Sequence, residues 1–325
     1  GTLKLTDNPT AQQILDIRDA LYNTYKNYSD ANMPSIVIDL SDTTITSIPE
    51  NAFWPAIDSG SQCEAISSVK LPTTVTSIGK NAFAYCSNMT SITGYTQVTS
   101  LGDGAFEFCS SLTSFTIPSG LTSKKVPDSL LYGCGNITSI SIPSGFTEIG
   151  DSAFFSAGLT SVTIPPSVKT IDRLAFNYCK FNSLTIPNTV TSLGEMFLSN
   201  NKSLTTVTLP YNTSVTKIPD QAFDGCSALR TVNYSSNITE IGKMAFHDCT
   251  ALTSFTVLSS VRKLGSNFLW RASSLTSITF QVTSGWKSKS GNTEYSVDGY
   301  FSSQTSLINA IVGTPSSTGN SEWYR

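Results

Sequence analysis

The stretch that decides the fold is Leu112-Thr-Ser-Phe-Thr-Ile-Pro118, and close variants of it return along most of the chain. A second phrase alternates with it, as in Val75-Thr-Ser-Ile-Gly-Lys-Asn-Ala-Phe83. The large apolar residue that ends the second phrase serves as an anchor, and successive anchors lie 21 to 30 residues apart. The anchors are Phe53, Phe83, Phe106, Leu131, Phe154, Phe176, Phe197, Phe223, Phe246 and Phe268. Such a period means that the chain is built from repeated units.

A repeat of about 20–29 residues with apolar residues at fixed places is typical of a leucine-rich-repeat solenoid. One unit is too small to bury its own apolar face, so neighbouring units stack and share a core. Phe115 and Ile117 fall on one face of a strand, while Ser114 and Thr116 fall on the other. The sequence therefore predicts an α/β-type right-handed superhelix with a parallel β-sheet on its concave face and short strands or 3₁₀ turns on its convex face. Strands are expected near 113–117, 160–164, 183–186, 205–209 and 253–257.

The two ends of the chain depart from the repeat. Residues 1–35 are predicted to form an N-terminal helical cap, because Thr10-Ala-Gln-Gln13 is a capping-box sequence that opens a helix of about residues 10–27. About ten repeats fill residues 36–280. Residues 281–325 are predicted to form a C-terminal cap or tail, in which Trp286 and Trp323 favour folded structure.

Two positions inside the repeat are nearly constant. Gly79 recurs in later units, which indicates either a turn with positive φ or a need for backbone clearance. Six of the seven cysteines stand three residues after an anchor, and Cys63 fits the same position if the first unit carries an insertion after Phe53. We interpret them as buried, reduced thiols. A disulfide staple is the alternative, although parallel Cβ vectors suit it poorly. Without a Cys-x-x-Cys pair or further histidines, no zinc site or other cofactor is expected.

Runs such as Leu159-Thr-Ser-Val-Thr-Ile-Pro165 and Ile241-Gly-Lys-Met-Ala-Phe-His-Asp-Cys249 resemble the BspA-like class of leucine-rich repeats, and the resemblance covers residues 36–280. It implies a non-enzymatic protein that is secreted or exposed at a bacterial cell surface, where several members are associated with adhesion to host components. The resemblance brings no shared set of ligand-binding residues.

Composition and motifs exclude several classes of function. A net charge of −3 and a pI near 5.2 leave no electrostatic footprint for nucleic acid. No apolar run approaches the roughly 18 residues needed to span a bilayer, so no membrane insertion is expected. His247 is the only histidine, and its position after an anchor holds Glu107 or Asn177 in other units, so we expect it to face solvent. The chain is therefore predicted not to be an enzyme.

Two surfaces are candidates for ligand binding. The first is an aromatic edge just after the anchors, which consists of Trp54, Tyr85, Phe108, Tyr132, Phe155, Tyr178 and Trp270. Trp54, Tyr85 and Phe108 are the expected contact residues, because aromatic residues concentrate binding energy. The alternative is that each ring folds over its neighbour's turn and shields the core. The second surface is the outward face of the strands, represented by Ser114, Thr116, Ser161 and Thr163, although hydroxyl residues also suit exposed strands without any ligand. The leading hypothesis is a secreted or surface protein that binds a protein or glycan partner, and the alternative is an inert spacer or stalk.

Overall fold

The computed structural model describes residues 1–25, 34–54, 64–290, 293–296, 308, 311–312 and 322–325. The chain divides into two compact units, Gly1–Ser167 and Val168–Arg325. The elements of the first unit are β1 (Thr2–Lys4), α1 (Ala11–Tyr25), β2 (Ile36–Asp39), β3 (Ser47–Ile48), β4 (Ile66–Lys70), β5 (Ser77–Ile78), β6 (Ser91–Thr93), β7 (Ser100–Leu101), β8 (Lys125–Val126), β9 (Ser139–Ser141), β10 (Glu148–Ile149) and β11 (Ser161–Thr163).

The strands of the second unit follow the same plan and end in a short antiparallel group. They are β12 (Thr170–Ile171), β13 (Ser183–Thr185), β14 (Ser192–Leu193), β15 (Thr206–Thr208), β16 (Lys217–Ile218), β17 (Thr231–Asn233), β18 (Glu240–Ile241), β19 (Ser254–Val257), β20 (Lys263–Leu264), β21 (Ser277–Phe280), β22 (Lys287–Ser290), β23 (Thr293–Ser296) and β24 (Trp323–Tyr324).

Most repeats contribute one rung with two strands, and both kinds of strand pair in parallel with their equivalents in neighbouring rungs. The longer strands form what we call the front ladder, exemplified by β9 beside β11 and by β13, β15 and β17 in order. The two-residue strands form the back ladder, as in β3, β5 and β7. Equivalent residues lie opposite each other, for example Ile140 opposite Val162. This arrangement confirms the predicted leucine-rich-repeat solenoid, while the back of the repeat consists of short strands and turns, with no 3₁₀ helix among the residues described.

The anchors form the core of each unit. Their side chains are all buried, and ring centroids of consecutive rungs lie 5.4 Å apart for Phe53 and Phe83 and 5.3 Å apart for Phe83 and Phe106. In the second unit Phe223 and Phe246 stack in the same way at 5.3 Å. The buried ladder predicted from the period is thus confirmed.

Four of the five expected strands are present as β11, β13, β15 and β19, but the expected strand at 113–117 is not formed. The reason lies in the preceding rung, where Tyr95 replaces the usual proline. The Tyr95 hydroxyl accepts a hydrogen bond from the Thr116 amide at 3.1 Å. This amide therefore donates to a side chain and not to the backbone of a neighbouring strand. Another tyrosine hydroxyl lies at a second gap in the front ladder, between β17 and β19, where Tyr234 donates to the Thr256 carbonyl.

The recurring glycine is required because two backbones approach closely, and not because the turn has a positive φ there. A Cβ on Gly102 would lie 2.6 Å from both the Lys80 Cα and the Gly79 carbonyl carbon of the previous rung. The positive φ values fall instead on other residues of the turn, such as Asn81 at 52°. The glycine therefore allows two backbones to approach closely, which is the second of the two explanations considered.

The cysteine position carries a hydrogen bond as well as volume. All six described cysteines are buried, while Cys63 lies outside the described residues. Four of them donate their S–H group to a backbone carbonyl of the preceding rung, namely Cys109 to Phe83 at 3.1 Å, Cys134 to Phe106 at 3.2 Å, Cys226 to Leu198 at 3.3 Å and Cys249 to Phe223 at 3.2 Å. Asn201, which replaces cysteine in its rung, donates to the Phe176 carbonyl at 2.8 Å. The thiols therefore link one rung to the next.

The ends of the chain are folded where they are described. Helix α1 begins as the capping box predicts, with the Gln13 amide donating to Thr10 Oγ1 at 3.2 Å and the Thr10 amide donating to Gln13 Oε1 at 2.8 Å. At the other end, β24 pairs antiparallel with β20 and β22, and Trp286 and Trp323 are buried. None of the described helices is long and apolar enough to cross a membrane.

Candidate functional site

The aromatic residues after the anchors of the first unit form one continuous row of contacting rings, which we call the aromatic column. The first and last ring pairs are stacked, and the two pairs between them are tilted by 34° and 59°. It consists of Trp54, Tyr85, Phe108, Tyr132 and Phe155. The consecutive ring centroids are separated by 6.0, 4.7, 5.1 and 4.4 Å. All five residues are partly buried, neither covered nor fully exposed. The structure thus brings together five of the seven aromatic residues that the sequence places along this edge, among them the three expected contact residues.

The backbone of each turn sets the spacing of the column. The Tyr85 amide donates to the Glu107 carbonyl at 2.7 Å, and the Phe108 amide donates to the Tyr132 carbonyl at 2.6 Å. These bonds hold neighbouring turns at rung distance, so rings at equivalent positions meet. Both Tyr85 and Phe108 have positive φ, 61° and 55°, a conformation that bulky residues adopt at a cost of about 1–3 kcal/mol.

A glycine accounts for the change of position within the column. Tyr85 and Phe108 stand two residues after their anchors, whereas Tyr132 and Phe155 stand one residue after theirs. At the second position of the Tyr132 rung lies Gly133, with φ of 73°, and a Cβ there would come within 2.5 Å of the Phe108 ring. Gly133 therefore leaves space for the Phe108 ring, and Tyr132 is the residue of this rung that contacts Phe108.

One carboxylate lies beside the column. Burial raises the pKa of Glu107 above its ordinary value. Burial also raises the pKa of Tyr85 and of Tyr132, and the nearby Glu107 charge adds to both shifts. The two phenols therefore stay neutral at physiological pH, and the column combines apolar rings with one acidic group.

The predicted hydroxyl residues do not form one cluster, and only Ser161 and Thr163 belong to a strand of the front ladder. Ser114, Thr116, Ser161 and Thr163 are all exposed, as expected for the outward face. Ser161 and Thr163 belong to β11, whose neighbour β9 supplies Ser139 and Ser141 opposite them. The rung of β9 thus separates the two predicted pairs.

The expectation that His247 faces solvent is wrong. The residue is only 8% exposed, and its ring stacks on Trp270 with centroids 4.8 Å apart. Its Nδ1 lies 2.6 Å from Asp224 Oδ1 of the previous rung. Its Nε2 lies 3.5 Å from Asp248 Oδ2, and Asp248 in turn pairs with Arg271. Two residues supply the physical reason: Trp270 covers the ring and Asp224 gives it a partner, and neither is visible from the anchor spacing alone.

These features define a repeat protein whose parallel ladders present an aromatic edge, which places it among the leucine-rich-repeat solenoid proteins. The sequence matches the family described as "BspA type Leucine rich repeat region (6 copies)" in overlapping segments 24–125, 46–181, 124–216 and 203–290. The chain therefore belongs to the BspA-type leucine-rich-repeat family.

Several solved structures are similar to this chain. A leucine rich cell surface protein from Faecalibacterium prausnitzii A2-165 is 23% identical with a TM-score of 0.46, covering 87% of this chain and 83% of its own. A leucine-rich repeat protein from Bacteroides ovatus ATCC 8483 is 22% identical with a TM-score of 0.48, covering 76% and 81%. The pneumococcal vaccine antigen PcpA is 19% identical with a TM-score of 0.43, covering 78% and 73%. Comparison with curated protein sequences gives no match.

Proposed function

We propose that this protein is a non-enzymatic binding protein, secreted or displayed at a bacterial cell surface, and that the aromatic column is its contact surface. The observation that carries the proposal is the continuous, partly exposed row of rings from Trp54 to Phe155. Tyrosine and tryptophan are the residue types in which binding energy concentrates, and neighbouring rings keep each other rigid before a partner arrives. The extracellular location rests on family membership.

The stacking favours a protein partner over a glycan. Sugars bind aromatic residues by lying on an open ring face, but each inner ring of the column has a neighbouring ring on both sides. The rings are partly exposed, and the Glu107 carboxylate lies beside them. Such a surface suits a protein segment that carries apolar side chains together with a basic residue.

A binding comparison of single variants tests the proposal. The purified chain is applied to an array of host matrix proteins and glycans, and the affinity of every hit is then measured with Tyr85→Ala. We expect this variant to lose more than about 1 kcal/mol of binding free energy, as hot-spot residues do. The matched control is Tyr178→Ala, because Tyr178 occupies the same position of its repeat with φ of 56° but lies in the second unit and is 47% exposed.

A second control addresses the front ladder. The double variant Ser161→Ala with Thr163→Ala removes two exposed hydroxyls and leaves the column intact. Equal losses for Tyr85→Ala and Tyr178→Ala, or a greater loss for the hydroxyl variant, would show that binding does not centre on the column. The spacer alternative predicts no hit on the array at all.

A further inference from the structure

The second unit contains a cluster of side chains that neither the repeat nor the proposed binding surface explains. Asp224, His247 and Asp248 each offer one ligand atom, and these atoms lie within 4.8 Å of one another. Asp224 comes from one rung, and His247 and Asp248 come from the next. The Nε2 atom of His247 is buried and forms no hydrogen bond with any residue that the structure describes. A buried polar nitrogen without a hydrogen bond is costly, so this atom marks a position where a ligand would be stabilising.

The hydrogen bond at the other ring nitrogen fixes the tautomer. A carboxylate can only accept, so the 2.6 Å contact with Asp224 Oδ1 places the proton on Nδ1. The lone pair of a neutral ring then lies on Nε2, on the side of Asp248. A histidine whose second N–H group is held by a carboxylate is the usual arrangement of a metal-binding imidazole.

We propose that His247 Nε2 and Asp248 Oδ2 bind a divalent transition-metal ion of the zinc type, with Asp224 as the positioning residue and water completing the coordination. The Nε2–Oδ2 distance is 3.5 Å. Two ligands at the zinc distances of about 2.0–2.2 Å in a tetrahedral site are separated by about 3.3–3.6 Å, so the pair is already near the required spacing. Imidazole together with carboxylate suits zinc, copper or nickel better than magnesium or calcium. This site departs from the expectation of no metal that the sequence alone supports.

Arg271 competes with the ion for the Asp248 carboxylate. Its Nε lies 3.1 Å from Asp248 Oδ1 and its Nη1 lies 3.2 Å from Asp248 Oδ2. The Arg271 side chain is 61% exposed, so it can withdraw from Oδ2 while it keeps Oδ1. Without an ion, the carboxylates of Asp224 and Asp248 and the guanidinium of Arg271 sum to a charge of −1. A bound dication changes this sum to +1. The proposal is independent of the aromatic column, which lies in the first unit.

Zinc titration of the untagged full chain by calorimetry tests the site. We expect saturable binding of one zinc ion, and we expect His247→Asn and Asp248→Asn each to weaken it at least tenfold. Asp224→Asn should weaken binding about 10–100-fold, the usual effect of removing the carboxylate behind a metal-binding histidine. Arg271→Ala should tighten binding. The matched control is Asp220→Asn, an acidic residue of the same unit that pairs with Lys217 outside the cluster and should bind zinc like the parent protein.

Copper binding followed by electron paramagnetic resonance separates this site from the cysteines. His247 is the only histidine in the chain, so an imidazole-nitrogen signature in the spectrum identifies it without ambiguity. Melting temperatures with and without zinc identify a variant that fails to fold, and Asp248→Asn, at a partly exposed side chain, provides the second variant if His247→Asn does so. No saturable zinc binding by the parent protein overturns the proposal. Binding that survives both ligand variants, or a copper spectrum without nitrogen coupling, overturns it equally.

Discussion

Replacing Phe83 by alanine should destabilise the first unit strongly. Phe83 is completely buried and stacks between Phe53 at 5.4 Å and Phe106 at 5.3 Å. Removing a buried phenylalanine costs about 3–5 kcal/mol, because transfer energy is lost and a cavity is left. The upper half of that range is expected here, since both flanking rings are held by their own rungs and cannot collapse into the gap. Two ring pairs, each contributing about 0.5–1.5 kcal/mol beyond burial, are also lost.

Thermal unfolding followed by circular dichroism and calorimetry measures this effect. A domain of 150–250 residues loses about 2–4 °C per kcal/mol, so a loss near 4 kcal/mol lowers the melting temperature by about 8–16 °C. Phe83→Leu is the matched control, because Leu131 already occupies the anchor position of its rung and is fully buried. That change keeps most of the buried volume and loses mainly the two ring pairs, so it should cost about 1–3 kcal/mol, less than Phe83→Ala. A shift below about 2 °C for Phe83→Ala would refute the idea that the anchors carry a shared core.

Three other predictions concern the constant positions of the repeat. Thiol labelling without reductant should find seven reactive groups after unfolding and few before; recovery of a single thiol would instead reveal three disulfides. Burial raises the pKa of Cys134 and Cys226 from 9.0 to about 12, so these thiols keep protons that the unfolded chain releases, and stability should fall as the pH rises from about 9 towards 12. Gly102→Ala should cost about 1–3 kcal/mol in chemical denaturation, because its Cβ would overlap the Lys80 backbone. The control Gly135→Ala, where a Cβ meets nothing within 4 Å, should be nearly neutral, and equal losses would contradict the clearance argument.

The repeat period was sufficient to predict the fold because it reports burial directly. A side chain that must be apolar in every unit has to face the shared core, and stacking then fixes which strands pair. A pattern common to all units, however, hides what differs between them. Tyr95 is one substitution in one rung, yet its hydroxyl takes the Thr116 amide and removes a strand that the pattern predicts. Periodicity also gives residue identity without backbone conformation, which explains why clearance and positive φ were equally compatible with the recurring glycine.

The same limit applies to the candidate sites. Trp54, Tyr85 and Phe108 could be brought together from sequence because equivalent positions of successive rungs are neighbours, and the ring distances of 6.0 and 4.7 Å confirm that placement. Their role in binding stays a prediction. Gly133, which sets the course of the column, gave no signal, because only the structure shows the Phe108 ring above it.

His247 shows most clearly how a position in a repeat differs from the environment of one residue. The variety of side chains at its position indicated exposure, and for a residue considered alone that inference is reasonable. In a stacked fold, however, a side chain is covered by the residues of the next rung, and here Trp270 stacks on the imidazole at 4.8 Å. The previous rung adds Asp224 at 2.6 Å, which gives the ring a hydrogen-bonding partner. The sequence does contain a usable signal, since Asp224 and His247 occupy the same position of consecutive repeats and Asp248 follows directly. Reading each position together with its equivalents one repeat away, and not as an average over all repeats, therefore finds the cluster that the average concealed.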